Sequence, residues 1–458
     1  DGLTVGDDGS FETHIRVRVS GAAGGGSVQH NVRWNARWRA GSKPDSAAAP
    51  RLLALSLDRF EEVRTRVRPL AELTREVLSK CDGFEEEILR GNDDYHLHED
   101  RFSTQPMLGM HGLAVGDVDG DGLEDLYLPQ PGGQPNRLLI HQADGTVRDG
   151  AHAAGLDVLD NCGAALILDF DGDGREDVAV ALGSTILVCW NDGKGHFMEH
   201  TVLKSPDEAE VTSLSAADPD DDGDLDIYAC RYVKGGVSSG APVPYWNAQN
   251  GAANLYWRND GGRRFTEVSK EVGLDVHATR FSLALLWEDL DEDGKIDLLV
   301  VNDFGKNCFY RNEGGKFRDV AEDAGTVFPA AGMGASCADV DHDGNLDLFL
   351  TNMDSPAGAR IASQPRFMQA QPENRPAYMG HARGNVLLLG DGHGKFRDVT
   401  QQAGVGASGW AWGGTFFDLQ NDGWPDLYVP NGFATNRSRE DLSSFFWRCV
   451  VGYSPPTM

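Results

Sequence analysis

The chain has 458 residues and a formal net charge of −30, which argues against partners that carry phosphate, such as nucleic acids and anionic membranes. Its hydrophobic content of 40% is enough to bury a core, and no stretch approaches the roughly 18 apolar residues of a transmembrane helix. The seven cysteines are widely spaced and include no C-x-x-C pair, so they favour buried thiols over a zinc cluster or a disulfide framework.

The first 66 residues are predicted to form a small β-rich segment, because three stretches alternate between apolar and polar side chains. The predicted strands cover residues 14–19, 28–38 and 52–57, and loops are expected at residues 21–27 and 40–50. The remainder of the chain contains repeat units, described below, and several of them finish with a short fourth strand. Residues 59–63 follow the same sequence pattern as that strand. We therefore hypothesise that residues 51–63 complete the last of these units and so pair the two ends of the chain.

Residues 67–102 are predicted to be a linker with a helix, since apolar side chains recur at helical spacing between residues 69 and 89. His96 and His98 follow, and on an extended segment they would share one face, with His111 as a third and more distant histidine. Three such histidines can hold a transition metal. A polar loop that leads into the first repeat unit is the alternative interpretation, and we favour it.

A nine-residue acidic pattern recurs six times in the remainder of the chain. Aspartate occupies its first, third, fifth and ninth positions and glycine its sixth, except that Gln420 takes the third position of the last copy. The copies start at residues 117, 169, 218, 289, 339 and 418, so the repeat unit has about 50 residues, with longer insertions in two intervals. We call the copies loops 1 to 6. Their candidate metal ligands are Asp117, Asp119, Asp121 and Asp125 in loop 1; Asp169, Asp171, Asp173 and Asp177 in loop 2; Asp218, Asp220, Asp222 and Asp226 in loop 3; Asp289, Asp291, Asp293 and Asp297 in loop 4; Asp339, Asp341, Asp343 and Asp347 in loop 5; and Asp418, Gln420, Asp422 and Asp426 in loop 6.

Short apolar stretches precede and follow every loop, which predicts that each loop joins two strands. Two further short runs follow in most units, for example residues 307–310 and 317–320. Four strands in about 50 residues are typical of a propeller blade. We predict an all-β fold in which residues 103–458 form a six- to seven-bladed β-propeller.

The chemistry of the loops predicts calcium. Carboxylates at the first, third, fifth and ninth positions gather oxygen atoms on one side of the turn, and the glycine lets the backbone bend so that a carbonyl also faces inward. Hard oxygen ligands without histidine or cysteine favour calcium or magnesium, and several carboxylates on a flexible loop suit calcium. An EF-hand would need a glutamate at the twelfth position and flanking helices, whereas the twelfth residue here is always apolar. We expect about six Ca²⁺ ions that offset the repulsion within the loops and stabilise the fold.

The six loops, together with residues 307–320 and 332–335, resemble the FG-GAP/VCBS repeat over about residues 103–435. This repeat builds the integrin alpha-chain propeller, and the chain is more closely similar to the cartilage-acidic-protein-like family. The resemblance implies a calcium-binding propeller, usually secreted, that serves adhesion or protein contact. In many members an ASPIC/UnbV domain follows the last repeat, and we expect no such domain after Trp447.

Two classes of function fit the sequence. In the first, which we favour, the chain is a scaffold without catalytic activity whose insertions at residues 229–253 and 351–384 present a surface to a protein or glycan ligand. Such a protein is expected to be secreted, periplasmic or on the cell surface, where millimolar calcium saturates even weak sites. In the second, the propeller carries a lyase, hydrolase or oxidase activity and the three histidines hold its metal. The fold does not decide between these classes.

Overall fold

The structure is a computed structural model, and it describes residues 2–5, 10–23, 26–39, 50–65, 71–90, 112–234, 242–369 and 371–430. The chain divides into two compact units. The first contains the described residues up to 72 and residues 355–382, and the second contains residues 73–354 and 383–430.

The first unit contains one antiparallel sheet of four strands in the order β1-β2-β3-β4. The strands are β1 (Gly2–Val5), β2 (Ser10–Ala23), β3 (Gly26–Arg39) and β4 (Arg51–Thr65). The strands predicted in this segment are present and are longer than expected. The loop predicted at residues 21–27 is wrong for residues 21–23 and 26–27, which belong to β2 and β3, because small side chains allow the two strands to pair as far as Ala23 and Gly26.

Strand pairing corrects the hypothesis that residues 51–63 complete the last repeat unit. These residues lie in β4, which pairs with β3 along its whole length. The register places Leu57 opposite Trp34 and Phe60 opposite Val32. Because cross-strand apolar pairs stabilise a sheet, this long register on β3 is the physical reason for the observed partner.

The second unit consists of successive antiparallel sheets, which confirms the prediction of a β-propeller. We call the sheets blades 1 to 6: β5–β8, β9–β12, β13–β16, β17–β20, β21–β24 and β25–β26. Blades 1 to 5 have four strands each, and blade 6 has two strands within the described residues. The strand bounds are β5 (Ala114–Gly116), β6 (Asp125–Leu128), β7 (Arg137–His141), β8 (Val147–Asp149), β9 (Cys162–Leu168), β10 (Asp177–Leu182), β11 (Thr185–Trp190), β12 (Glu199–Lys204), β13 (Val211–Ala217), β14 (Asp226–Arg231), β15 (Leu255–Asn259), β16 (Phe265–Glu267), β17 (Phe281–Glu288), β18 (Asp297–Asp303), β19 (Cys308–Asn312), β20 (Phe317–Asp319), β21 (Gly332–Ala338), β22 (Asp347–Asn352), β23 (Val386–Gly390), β24 (Phe396–Asp398), β25 (Thr415–Phe417) and β26 (Asp426–Tyr428).

Helices are short and lie between the strands. They are α1 (Thr74–Leu78), α2 (Ala151–Ala154), α3 (Ser269–Val272), α4 (Ala321–Ala324), α5 (Pro356–Ser363), α6 (Arg375–Gly380) and α7 (Thr400–Ala403), with a π-helical turn at Phe84–Ile88 and a 3₁₀ turn at Pro372–Asn374. The helix predicted between residues 69 and 89 is interrupted, because Gly83 adopts a left-handed φ of 71° between α1 and the π-helical turn. No helix among the described residues is long and apolar enough to cross a membrane.

The hydrophobic core of the second unit lies between neighbouring blades. Ala179 and Val188 of blade 2 pack in one cluster with Ile227 of blade 3, and Leu299 of blade 4 packs with Leu348 of blade 5. The first strand of each blade contacts the first strand of the next, from β5 to β25. Each blade therefore buries its faces against its neighbours, as in other repeat proteins.

The antiparallel order places the connections of a blade at two opposite ends of its sheet. The first-to-second and third-to-fourth connections leave from one end, which is where every acidic loop lies. The second-to-third connections leave from the other end, and two of them, residues 232–254 and 353–385, are the long insertions. The structure moves the insertion boundaries slightly, because residues 229–231 still belong to β14 and residues 351–352 to β22.

Candidate metal centres

Every acidic loop joins the first and second strands of its blade, as the sequence predicts, and its ninth residue begins the second strand. The first aspartate shapes the turn. In loop 1, Asp117 Oδ1 accepts the backbone N–H groups of Gly120 (2.8 Å) and Asp121 (3.0 Å), and Oδ2 accepts that of Gly122 (2.8 Å). The bonds to the fifth and sixth residues recur in loops 2 to 6. The side chain of the first aspartate therefore holds the backbone turn of its own loop.

Two residues of each loop have left-handed backbone conformations. The glycine at the sixth position has φ between 84° and 95° in all six loops, and no neighbouring atom would obstruct a Cβ there, so the backbone conformation is what requires glycine. The fourth position is also left-handed, although four loops have a side chain there, Asp221, Glu292, His342 and Asn421. Such positions cost about 1–3 kcal/mol each, and the surrounding hydrogen bonds maintain them.

The loop carboxylates converge in loops 1 to 5. Carboxylate oxygens of the first, third and ninth residues lie within 4.8 Å of one another in loops 1, 2, 4 and 5, and those of the first, third and fifth residues do so in loop 3. Within the described residues, loop 6 does not bring three acidic side chains this close, and Gln420 occupies its third position. Five clusters of three hard oxygen ligands are therefore compatible with a divalent cation.

The ninth aspartate is buried in loops 1 to 5, and in loops 1, 2, 4 and 5 it is the buried member of the cluster. Asp125, Asp177, Asp226, Asp297 and Asp347 are each at most 1% exposed. Burial, opposed by backbone hydrogen bonds, raises the pKa of Asp125 and Asp177 to about 6 and that of Asp226 and Asp297 to about 7. Neighbouring loop carboxylates raise these pKa values further. Because a buried carboxylate favours its neutral form unless a positive charge is nearby, a bound cation would offset this cost.

The third aspartate provides the test of whether these residues fit a metal ion. Oδ1 of Asp171 and Oδ1 of Asp291 are buried and have no hydrogen-bond partner. Their Oδ2 atoms lie 2.8 Å from Arg263 and 2.6 Å from Arg311, respectively. An unpartnered buried carboxylate oxygen is costly, and a cation within the loop would satisfy it. The residues present therefore fit the calcium ion predicted from the sequence.

Basic side chains near the loops are a feature that the sequence reasoning missed. Arg175 pairs with the fifth-position Asp173 of loop 2, and Lys295 lies 2.6 Å from the fifth-position Asp293 of loop 4. Both occupy the seventh position of their loops, so the spacing alone contained this signal. Arg263 is distant in sequence from Asp171, so no local pattern indicates that pair.

Two exposed aromatic side chains form a contact between loops 5 and 6. His342 at the fourth position of loop 5 stacks on Trp424 at the seventh position of loop 6, with ring centroids 3.8 Å apart and planes at 8°.

His96, His98 and His111 lie outside the described residues, so the transition-metal site stays a prediction.

Comparison with known proteins identifies the repeat. A sequence model of the FG-GAP-like repeat matches residues 117–180, 169–229, 289–350 and 377–429. Cartilage acidic protein 1 of Xenopus tropicalis is 25% identical over 280 residues, and that of Mus musculus is 23% identical over 278 residues. Each match covers 56% of this chain and 42% of the relative, so the chain matches less than half the length of these relatives.

Solved structures show a weaker likeness. An Agrocybe aegerita lectin, described as recognising non-reducing terminal N-acetylglucosamine, is 14% identical at a TM-score of 0.36 and covers 84% of this chain and 78% of its own. The biofilm matrix protein Bap1 of V. cholerae is 14% identical at a TM-score of 0.32, covering 62% of this chain and 38% of its own.

Proposed function

Since the chain is an FG-GAP-repeat β-propeller similar to cartilage acidic protein 1, we propose that it is a calcium-stabilised extracellular scaffold that recognises a protein or glycan ligand. The observation that carries the proposal is the repeated convergence of three carboxylates in loops 1 to 5. The net charge of −30 supports it, because divalent ions in these loops would offset much of the repulsion between acidic side chains.

Calcium would act on stability. A cation that binds only the folded chain stabilises it by about 2.7 kcal/mol per site when its concentration is 100 times the dissociation constant. A few such sites rival the roughly 5–15 kcal/mol net stability of a folded domain. Calcium sites with micromolar dissociation constants are saturated at the millimolar calcium concentration outside cells, which supports a secreted, periplasmic or cell-surface location.

The ends of the blades opposite the acidic loops are the proposed recognition surface. The insertion between β14 and β15 has a packed base, in which Tyr245 and Phe304 are in edge contact with ring centroids 4.9 Å apart. The hydroxyl of Tyr232 donates to Asp303 at 2.7 Å, and Val243 in the same insertion is 54% exposed. We propose that Val243, exposed two residues before Tyr245 of this packed base, is one of the residues that contact the ligand.

Metal analysis and thermal unfolding of the full chain test the calcium proposal. We expect five bound Ca²⁺ ions, one in each of loops 1 to 5, or six if loop 6 also binds, and a melting temperature that falls when a chelator removes them. A chain that contains no calcium and melts at the same temperature with and without chelator would refute it.

Glycan arrays and panels of extracellular proteins test the recognition proposal. Val243→Asp should abolish binding of any ligand found, whereas the matched control Val202→Asp, at another exposed valine in β12, should not. Unchanged binding in Val243→Asp would place the ligand elsewhere, and equal loss in both variants would show a general destabilisation instead of a lost contact. The alternative of a metal-dependent enzyme predicts copper, iron or zinc in the purified protein that is lost in His98→Ala.

A further inference from the structure

A buried asparagine stands at the end of the third strand in blades 2, 3 and 4. It directly follows β11 in blade 2 and is the last residue of β15 in blade 3 and of β19 in blade 4. Each of the three side chains is at most 3% exposed. They are Asn191, Asn259 and Asn312. We infer that they position neighbouring acidic loops relative to each other and thereby couple cation binding in loops 1 to 4. The inference rests on the proposed calcium function and adds to it the energetic relation between the sites.

Each of these asparagines contacts the acidic loop of the preceding blade. Its Nδ2 donates to the backbone carbonyl of the second loop residue, which lies between two candidate ligands. The distances are 2.9 Å from Asn191 to Val118, 2.8 Å from Asn259 to Phe170 and 2.6 Å from Asn312 to Pro219. A cation that fixes the first and third residues of a loop therefore also fixes the carbonyl that the asparagine binds.

The same residue also contacts the acidic loop of its own blade. Its backbone N–H donates to Oδ1 of the ninth aspartate, at 2.8 Å from Asn191, 2.7 Å from Asn259 and 2.8 Å from Asn312. Its Nδ2 donates a second bond to the carbonyl of the eighth loop residue, at 2.8, 3.3 and 3.1 Å, respectively. One residue thus binds two loops at once.

The hydrogen bond that Oδ1 accepts sets the orientation of each asparagine side-chain amide. Oδ1 accepts the backbone N–H of a glycine in the following turn, at 2.9 Å for Asn191, 3.2 Å for Asn259 and 3.0 Å for Asn312. With its acceptor used in the turn and both Nδ2 hydrogens directed to carbonyls, the side chain has one preferred arrangement. These residues are positioning residues, since the asparagine amides are not among the candidate ligands.

Blade 5 interrupts this series. Gly390 occupies the equivalent place, and its backbone N–H still donates to Oδ1 of Asp347 at 2.9 Å. A Cβ at this glycine would lie 2.2 Å from the carbonyl oxygen of Leu346, so no larger residue fits. Loops 1 to 4 are therefore joined by three asparagines, and within the described part of the chain no such asparagine joins loop 4 to loop 5.

Coupling between neighbouring sites follows from these contacts. If a cation in one loop orders the carbonyl that the asparagine binds, the ninth aspartate of the next loop is already held in place for its own cation. Such coupling is reciprocal, and typical values change affinity by about 5-fold to 150-fold. We expect cooperative binding in loops 1 to 4 and independent binding in loop 5.

Calorimetric titration of the calcium-free full chain with calcium tests the inference. The unmodified chain should bind calcium with a Hill coefficient above 1. Asn259→Ala, which removes the central link of the series, should lower the Hill coefficient while leaving the number of bound ions unchanged. The matched control is Asn254→Ala in the same blade: this asparagine is also buried and hydrogen-bonded to Ser282 and Arg231, but it does not contact an acidic loop.

The possible outcomes separate the two proposals. A Hill coefficient of 1 in the unmodified chain, or the same coefficient in Asn259→Ala, overturns the coupling while calcium binding stands. Equal loss of cooperativity in the control also overturns it, because general destabilisation would then explain the effect. A chain that binds no calcium refutes the proposed function itself. If Asn259→Ala does not fold, Asn191→Ala provides the same test by separating loop 1 from loops 2 to 4.

Discussion

Replacing Asp303 with asparagine is expected to make the stability of the protein less dependent on pH. Asp303 ends β18 and is buried, and its Oδ2 accepts the hydroxyl of Tyr232 at 2.7 Å while Oδ1 accepts the N–H of Phe304 at 2.9 Å. Burial raises its pKa from 3.8 to about 7. The carboxyl group is therefore neutral in the folded chain at a pH where it is ionised in the unfolded chain.

The sign and size of the effect follow from that pKa. A carboxyl group with a raised pKa in the folded state contributes full stability below its unfolded pKa near 4, and this contribution is lost as the pH rises to about 7. Each pKa unit corresponds to about 1.4 kcal/mol, so the ionised group destabilises the fold by about 4 kcal/mol at pH 8. Asparagine stays neutral at every pH and can keep both contacts, with its Oδ1 accepting the Phe304 N–H and its Nδ2 donating to the Tyr232 hydroxyl oxygen.

Denaturant unfolding in saturating calcium at pH 5 and pH 8 measures the effect. The advantage of Asp303→Asn over the unmodified chain should grow by about 2.5 kcal/mol between these pH values. Asp275→Asn, at an exposed aspartate, is the control for the loss of one negative charge. A difference between Asp303→Asn and the unmodified chain that does not change with pH, or a variant that is less stable at pH 8, would show that Asp303 is ionised in the folded chain at low cost.

Three further results are expected. Chelation should lower the free energy of unfolding by about 2.7 kcal/mol for each loop that was saturated 100-fold above its dissociation constant, and titration back with calcium in a thermal-unfolding assay should restore it. Asp291→Ala should reduce the number of bound calcium ions by one, because it removes a buried ligand and leaves Arg311 without its carboxylate partner. Metal analysis measures the number of bound ions. An unchanged number would exclude loop 4 as a calcium site. Asp207→Ala should destabilise the fold by about 3 kcal/mol in denaturant unfolding, since Arg231 is fully buried and would lose its carboxylate partner; Asp207→Asn as a second variant keeps one acceptor and should cost less.

The acidic loops were predictable because their information is local. The spacing of aspartate and glycine determines which backbone N–H groups the first side chain can reach, and the structure contains those bonds in all six loops. The flanking strands follow from short apolar runs for the same reason. The four-stranded units of blades 1 to 5 were therefore predictable from the sequence alone.

The pairing of the N-terminal strands was not predictable in the same way. Residues 59–63 resemble the fourth strand of a repeat unit, so the sequence pattern offered two partners for this segment, β3 and the last blade. The choice between the two partners depends on how many apolar pairs a register aligns over its whole length, and β3 offers pairing along all of β4.

The contacts that join the metal sites were decided only in three dimensions. Asn259 reaches a carbonyl 89 residues away, and Arg263 reaches a carboxylate 92 residues away. Neither separation leaves a trace in local spacing, because it depends on which faces the blades bury against each other. Residue order along the chain was thus sufficient for each turn and blade, whereas the relation between neighbouring loops arises from the packing of one sheet on the next, where burial of apolar side chains brings distant backbone groups within hydrogen-bonding distance.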